Sequence, residues 1–259
     1  MKILISNDDG YQAPGIVALY EALKDVAEVE VVAPEQNNSA KSNAFTLHAP
    51  LYVATAANGF RFINGTPADC VHIALTGLLG YKPDLVVAGI NNGANMGDDT
   101  IYSGTVGAAM EGYLLGVPAI AFSQVESGWA QLDAAAAKAR ELVLQMLQDI
   151  QVGASPWLLN VNIPNVPLNQ IKGVKVCRLG RRHAAESVVT QTSPRGQTMY
   201  WIGAAGAAKD DADGTDFHAT LGGYVSVTPL KTDLTDHDAL AHWGQTTAGL
   251  LPVGGDGQP

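Results

Sequence analysis

The sequence predicts an α/β fold: a doubly wound, Rossmann-like, mostly parallel sheet with a C-terminal β-rich extension and a closing helix. Along residues 1–165, short apolar runs typical of buried strands alternate with segments whose apolar residues recur at helical spacing. After residue 165 the pattern changes to short strand-like runs with long connections, and it ends in one helical segment. We therefore expect a Rossmann-like core at residues 1–165 and an extension at residues 166–259, together forming one integrated domain.

The first strand–helix–strand unit is the best defined. Residues 2–6 form an apolar run that leads directly into Asn7, Asp8, Asp9 and Gly10. Pro14 then begins a helix, whose apolar side chains recur every three or four residues: Ile16, Leu19, Tyr20 and Leu23. A second predicted strand, Glu-Val-Glu-Val-Val-Ala at residues 28–33, follows. A helical crossover between two strands implies that the strands are parallel.

The remaining elements follow from the same two periodicities. Thr66, Pro67 and Asp69 have the spacing of a capped helix start, so a helix is expected there. The other predicted elements are short antiparallel strands at 51–54 and 60–63, core strands at 84–89, 118–123 and 157–163, helices at 105–115 and 132–150, C-terminal strands at 174–179, 198–202 and 224–228, and a closing helix at 236–250.

Composition and charge exclude several classes of protein. The chain has 259 residues with a formal net charge of −10, and only 15% of its residues are charged, against about 25% in average proteins. Binding to a nucleic-acid polymer is not expected, because it needs clustered Lys and Arg. The longest apolar stretch, residues 113–122, is too short to span a membrane. Cys70 and Cys177 are expected to be buried apolar residues, and the protein to be soluble and cytoplasmic.

Three predicted strands end in polar loops. Asp8 and Asp9 follow the first strand, residues 37–39 (Asn-Asn-Ser) follow the second, and Asn91 and Asn92 follow the strand at 84–89. Ligands of open α/β sheets bind beyond the carboxyl ends of the strands, so these loops should be neighbours. Carboxylate, hydroxyl and amide oxygens suit a hard divalent cation, and the sequence therefore predicts a Mg²⁺ or Mn²⁺ site.

A simpler interpretation competes with this site. One Asp after a strand often only caps the next helix, and Ser39, Asn91 and Asn92 taken singly are explained as well by turn formation. Two adjacent acids at a strand exit repel each other unless a positive group lies between them. The pair Asp8 and Asp9 therefore favours the metal site.

A second polar feature is a run of small residues from Ser103 to Gly107 at the start of a predicted helix. Free N–H groups and the positive end of the helix dipole point outward there and attract anions such as phosphate. Taken alone, this segment is equally well a plain capped helix, and the Gly-Lys-Ser/Thr of a P-loop does not occur in the sequence. Beside a predicted metal site, it predicts a phosphate pocket.

Eight motifs, in order along most of the chain, resemble the SurE family of survival-protein nucleotidases. Any one of them is modest support, but the set is highly specific. They are Ser-Asn-Asp-Asp-Gly at 6–10 with Ala-Pro-Gly-Ile at 13–16, Val-Ala-Pro at 32–34 with Asn-Ser at 38–39, Gly-Thr-Pro-Ala-Asp-Cys-Val at 65–71, Gly-Ile-Asn at 89–91, Gly-Asp-Asp at 97–99, Tyr-Ser-Gly-Thr-Val at 102–106, Gly-Thr-Asp-Phe at 214–217, and Gly-Tyr-Val-Ser-Val-Thr-Pro-Leu at 223–230.

The resemblance implies an activity and a set of site residues. It implies a divalent-metal-dependent phosphatase that acts on nucleoside 5′- and 3′-monophosphates, and in some members also on short-chain polyphosphate. The matching positions imply one Mg²⁺ or Mn²⁺ ion held by Asp8, Asp9, Ser39 and Asn91, and a phosphate bound by Asn95, Ser103, Gly104 and Thr105. Asp8 and Asp9 are the expected catalytic residues. The resemblance also implies a homodimer or homotetramer in which residues 166–259 reach a neighbouring subunit.

Two other functions compete with the nucleotidase. A metal-dependent deacetylase or amidase could use a similar sheet, but such enzymes generally bind zinc through His, and the three loops contain no His. A non-catalytic nucleotide-binding module is the other alternative. Phosphate release that depends on a divalent metal would separate the nucleotidase from both.

Overall fold

The structure, a computed structural model, describes residues 1–150, 155–182, 186–203 and 205–248. Its strands are β1 (Lys2–Ser6), β2 (Glu28–Pro34), β3 (Val53–Thr55), β4 (Arg61–Ile63), β5 (Leu85–Asn92), β6 (Ala119–Gln124), β7 (Leu158–Ile163), β8 (Val174–Val176), β9 (Val189–Thr192), β10 (Thr198–Trp201) and β11 (Val225–Leu230). Its α-helices are α1 (Pro14–Leu23), α2 (Pro67–Ile73), α3 (Gly104–Leu114), α4 (Leu132–Asp149), α5 (Asp216–Leu221) and α6 (Leu240–Thr247).

Nine strands form one mixed, mostly parallel sheet in the order β3-β4-β2-β1-β5-β6-β7-β11-β8. The strands from β4 to β7 are all parallel, whereas β3 and β11 run antiparallel to their neighbours β4 and β7. The chain moves outward from β1 to β2 and later returns to place β5 on the other side of β1. The strand order therefore reverses between β1 and β5, and this switch point opens a crevice at the carboxyl edge.

Helices cover both faces of the sheet, as a doubly wound fold requires. On one face, α1 and α4 bury Leu19, Leu23 and Val143 against residues such as Ile5 and Phe122. The opposite face packs against α2 and α3 with a second set of buried residues: Leu4, Val32, Cys70, Val71, Val86, Val106 and Ala109. The predicted fold class is confirmed.

Local signals in the sequence explain how α2 begins. The Thr66 hydroxyl accepts a hydrogen bond from the Asp69 N–H at 3.1 Å, and the Asp69 carboxylate accepts one from the Thr66 N–H at 2.9 Å. This reciprocal pair satisfies two of the N–H groups that a helix start leaves unpaired. Cys70 and Cys177 are both buried with free thiols, as predicted.

Two strands end three residues away from their predicted carboxyl ends. β5 continues to Asn92, beyond the predicted strand at 84–89, because it resumes its pairing with β6 after an irregularity between Ala88 and Asn91. β8 ends at Val176, shorter than the predicted strand at 174–179. Together with β11 it extends the sheet, so the C-terminal region contributes strands to the same sheet as the core.

The rest of the extension stands apart from the sheet. β9, which the sequence did not predict, pairs with β10 in a separate two-stranded hairpin whose residues are all exposed. The predicted closing helix at 236–250 is observed as α6, which begins four residues later, while residues 249 and 250 lie outside the described part of the chain. The residues of α6 are all exposed. No described helix has the length and apolarity to cross a membrane.

Candidate active site

The polar loops that follow β1 and β2 lie beside the last residues of β5 at the carboxyl edge of the sheet, so the predicted convergence is confirmed. The N–H of Asn38 donates to the backbone oxygen of Asp8 at 2.7 Å. The N–H of Asn92 donates to Asp9 Oδ2 at 3.1 Å, and the side chain of Asn37 donates to Asp9 Oδ1 at 3.2 Å. The three strand ends thus meet at the switch point between β1 and β5, where this class of sheet binds its ligands.

The tight turn after β1 depends on Asn7 and Gly10. The buried Asn7 side chain donates to the Gly10 oxygen at 2.8 Å and accepts from the Gly10 N–H at 3.2 Å. Gly10 has a φ of +99°, a conformation that other residues rarely adopt. The turn therefore holds the two consecutive carboxylates, Asp8 and Asp9, at the end of β1.

Asp8 is only 3% exposed and is enclosed by the start of α3. The Thr105 hydroxyl donates a short hydrogen bond to Asp8 Oδ1. A Cβ on Gly104 would lie 2.7 Å from the Asp8 Cβ, so only glycine fits there without displacing the carboxylate. Burial raises the pKa of Asp8 from 3.8 to about 6, with a smaller contribution from the Asp9 charge, and the Thr105 hydrogen bond acts in the opposite direction.

Burial also raises the pKa of Asp9, while hydrogen bonds from the Asn92 N–H and the Asn37 side chain lower it. Among the described residues, no Lys or Arg forms an ion pair with Asp8 or Asp9. Two neighbouring acids in a low-dielectric site without a basic partner are the electrostatic setting that favours a bound cation.

The candidate ligand set contains oxygen donors only. Asn37 accepts a hydrogen bond from the Ser39 N–H at 2.9 Å and donates to Asp9, so it fixes both residues relative to each other. Asn91 donates its side-chain N–H to the Gly93 oxygen at 2.9 Å, which leaves its Oδ1 as the side-chain donor for a cation. Among the described residues, no group of three or more His, Cys, Asp or Glu side chains is arranged so that it could hold a metal ion. Two carboxylates with neutral oxygens fit Mg²⁺ or Mn²⁺ better than zinc.

A cavity of about 280 Å³ opens at this point of the sheet edge. Five of the eight residues predicted for the site line it: Asp8, Ser39, Asn91, Asn95 and Ser103. The other three, Asp9, Gly104 and Thr105, are not part of the lining but contact residues that are. The structure therefore brings all eight residues into one neighbourhood.

The start of α3 forms the anion-binding side of the site. Ser103 is the N-cap, and its hydroxyl accepts a hydrogen bond from the Val106 N–H at 3.1 Å. Helix geometry leaves the N–H groups of Gly104 and Thr105 without an acceptor within the helix. Thr105 directs both its hydroxyl and its backbone N–H at the Asp8 carboxylate, so this residue joins the start of α3 to the end of β1.

A buried amide network that the sequence analysis missed holds Asn95. Its side chain donates to Ser123 Oγ at 2.7 Å, its N–H donates to Asn162 Oδ1 at 2.8 Å, and its backbone oxygen accepts from the side chains of Asn160 and Asn162. Asn160 and Asn162 lie on the same face of β7. The sequence does contain a signal of this network. Two Asn residues stand at alternate positions in a strand that is otherwise apolar, and a buried strand normally has apolar side chains at such positions.

A second anchor ties the loop before α3 to the C-terminal extension. The buried Asp216 carboxylate accepts hydrogen bonds from the N–H groups of Gly97, Gly180 and Phe217, at 2.8, 2.9 and 2.9 Å. Arg182 adds an ion pair to the cavity-lining residue Asp99 at 2.8 Å. The extension thus helps to fix the loop that carries Asn95 and Ser103.

Comparison with known proteins places this geometry in a family. The family profile described as "Survival protein SurE" matches residues 3–186. A protein named "5′-nucleotidase SurE" from Albidiferax ferrireducens is 78% identical over 250 residues, covering 96% of this chain and 99% of that protein. A protein of the same name from Polaromonas naphthalenivorans is 73% identical over 257 residues, covering 96% of this chain and 98% of that protein.

A solved structure shares the fold as well as the sequence. The crystal structure of the Sure protein from Aquifex aeolicus superposes with a TM-score of 0.82 at 42% identity, covering 95% of this chain and 99% of that one. The motifs, the doubly wound sheet and these similarities agree: the chain belongs to the SurE family.

Proposed function

We propose that this protein is a divalent-metal-dependent 5′-nucleotidase, a phosphoric monoester hydrolase that releases phosphate from nucleoside monophosphates. The observation that carries the proposal is the pair Asp8 and Asp9, held at the switch point beside the N-terminus of α3. Relatives that are 70–78% identical are named 5′-nucleotidases. We include nucleoside 3′-monophosphates and short-chain polyphosphate among the substrates, because they present the same phosphoryl group.

Asp8, Asp9, Ser39 and Asn91 would hold one Mg²⁺ or Mn²⁺ ion. When bound, this ion supplies positive charge that offsets the phosphate and polarises its oxygens. The available ligand atoms support this metal site. Two carboxylates have no basic partner among the described residues, and neutral oxygens line the same cavity. Thr105 orients the Asp8 carboxylate through its hydroxyl, and Asn37 orients Asp9.

Asn95, Ser103, Gly104 and Thr105 bind the phosphate. The N–H groups of Gly104 and Thr105 are fixed by the helix, so they need no reorganisation when negative charge develops on the phosphoryl oxygens. The network behind Asn95 holds its side chain at the cavity wall in the same way. Because Asp9 lies at the edge of the cavity and its oxygens can accept further hydrogen bonds, we assign it the orientation of the attacking water.

The test is phosphate release from a panel of nucleoside 5′- and 3′-monophosphates and a short polyphosphate, with Mg²⁺, with Mn²⁺ and with EDTA. We expect release from the 5′-monophosphates with metal and none with EDTA. Tight nucleotide binding without release, from folded protein, would contradict the proposal and favour a binding module. Activity with Zn²⁺ alone on an N-acetyl substrate would instead favour a deacetylase.

We also propose that the chain acts as a homodimer or homotetramer in the cytoplasm. The hairpin β9–β10 and helix α6 present large apolar side chains to solvent, with Trp201 58% and Trp243 60% exposed. Exposed apolar groups of this kind are typical of subunit interfaces. Two buried free cysteines are typical of proteins in a reducing compartment.

Light scattering after gel filtration tests the assembly. The wild-type mass should be that of a dimer or tetramer, and Trp243→Ser should shift the protein toward smaller species. A wild-type monomer at micromolar concentration would contradict this proposal while leaving the nucleotidase proposal intact.

A further inference from the structure

The lining of the 280 Å³ cavity includes an aromatic residue to which the proposed function assigns no role. Tyr102 lines the cavity, directly precedes the N-cap residue Ser103, and is 64% exposed. Tyr102 is the only aromatic residue in the described lining of this cavity. A large ring left in solvent beside a buried polar site needs an explanation, because burial of such a ring is favourable.

The backbone of Tyr102 is fixed although its ring is exposed. Its N–H donates to the Asp99 oxygen at 3.0 Å, and its backbone oxygen accepts from the Ser42 N–H at 3.1 Å. The Ser42 hydroxyl also donates to the Ile101 oxygen at 2.7 Å. The ring therefore projects from an anchored segment, and a ligand that stacks on it meets a platform at a defined position.

The size of the cavity indicates what lies against this ring. About 280 Å³ is slightly below the range of about 300–1,000 Å³ typical of pockets for whole small molecules, and a metal ion and a phosphate would fill part of it. The nucleoside therefore extends beyond the cavity. Ala40, Gly93 and Ala94 line the same cavity and have a methyl side chain or none, so they take up little of its space.

We propose that Tyr102 is the nucleobase platform of this site, on which the base of a nucleoside monophosphate stacks while its phosphate lies at the start of α3. The inference rests on the proposed nucleotidase function and adds the residue that recognises the base. Since Tyr102 and Ser103 are consecutive, a nucleotide whose phosphate contacts Ser103 has its base within reach of the ring. Stacking tolerates every base, because each has a π-face.

The experiment compares Tyr102→Ala and Tyr102→Phe with the wild type, using AMP, UMP and the base-free probe ribose 5-phosphate in the presence of Mn²⁺. Tyr102→Ala should lower kcat/KM for AMP about 5- to 100-fold, the range expected for one lost base–aromatic stack. The loss should appear mainly in KM, should be smaller for UMP, and should be within twofold for ribose 5-phosphate. Tyr102→Phe should behave as the wild type.

Tyr52→Ala is the matched control, because Tyr52 is an equally exposed tyrosine that does not line the cavity. Equal losses with AMP and ribose 5-phosphate, an unchanged KM for AMP, or a changed oligomeric mass of Tyr102→Ala would overturn the proposal. If the wild type releases no phosphate, the proposed function fails separately. Calorimetric binding of AMP against ribose 5-phosphate to the same variants then decides whether the ring binds the base.

Discussion

Replacing Asp8 by Asn should have opposite effects on activity and on the stability of the metal-free protein. Asp8 is a buried carboxylate and a proposed ligand of the metal ion, and burial raises its pKa from 3.8 to about 6. At 1.36 kcal/mol per pH unit, this difference corresponds to a cost of up to about 3 kcal/mol for keeping the carboxylate ionised in the metal-free fold. Asp8→Asn removes that cost and should also abolish phosphate release.

The sign of the effect depends on pH. The folded-state pKa of Asp8 is higher than the unfolded-state value, so the folded protein binds the proton more tightly. The resulting stability is fully present below about pH 3.8 and is lost as the pH rises through about 6. The gain from Asp8→Asn should therefore be full above about pH 7 and disappear near pH 4.

Thermal unfolding in EDTA at pH 4, 6 and 8, at one fixed protein concentration, measures this gain. At about 2–4 °C per kcal/mol for proteins of this size, the Tm of Asp8→Asn should exceed that of the wild type by up to roughly 10 °C at pH 8. Saturating Mn²⁺ should raise the Tm of the wild type and leave that of the variant unchanged, because only the wild type binds the ion.

Asp69→Asn is the matched control, because Asp69 is also a buried Asp but accepts hydrogen bonds from the N–H groups of Thr46 and Thr66. It should lower stability by about 1–2 kcal/mol, with or without metal, and keep phosphatase activity. A lower Tm of Asp8→Asn in EDTA at pH 8, or equal stabilisation of both proteins by Mn²⁺, would refute the reasoning.

Three further substitutions test the contacts around the site. Gly104→Ala should displace the Asp8 carboxylate and lower kcat about 100-fold. The control Gly77→Ala should leave kcat unchanged, because its new Cβ meets no atom within 4 Å. A wild-type kcat in Gly104→Ala would contradict the close contact between Gly104 and Asp8. Thr105→Val should weaken Mn²⁺ binding 10- to 100-fold by calorimetry, whereas Thr105→Ser should retain it. Asp216→Asn should lower the free energy of unfolding by about 1–3 kcal/mol in urea, because a buried N–H loses its acceptor, and unchanged stability would show that the anchor is dispensable.

Features that depend on neighbouring residues along the chain could be predicted from the sequence. The capped start of α2 at Thr66 is one case, since the donor and acceptor of its capping box are three residues apart. The convergence of Asp8, Asn38 and Asn92 is another, because parallel strands bring their carboxyl ends to one edge whatever the details of packing. The fold class and the neighbourhood of the site therefore followed from periodicity and strand order.

Long-range partners were decided only by the tertiary structure. The Thr105 hydroxyl lies 97 residues from Asp8 in the chain, and the carboxylate of Asp216 lies 119 residues from the Gly97 N–H. No local pattern encodes which distant group satisfies a buried carboxylate or amide, because any of several polar side chains could do so until packing fixes their positions.

The C-terminal extension shows the same division. Its apolar runs are visible in the sequence, but the runs do not determine whether they join the sheet, as β11 does, or form an exposed hairpin, as β9 and β10 do. That choice depends on the free edges that the packed core offers for pairing. The sequence by itself thus determined the fold class, most of the elements and the convergence of the polar strand ends, while the tertiary structure decided how each carboxylate is held and which apolar surfaces remain exposed.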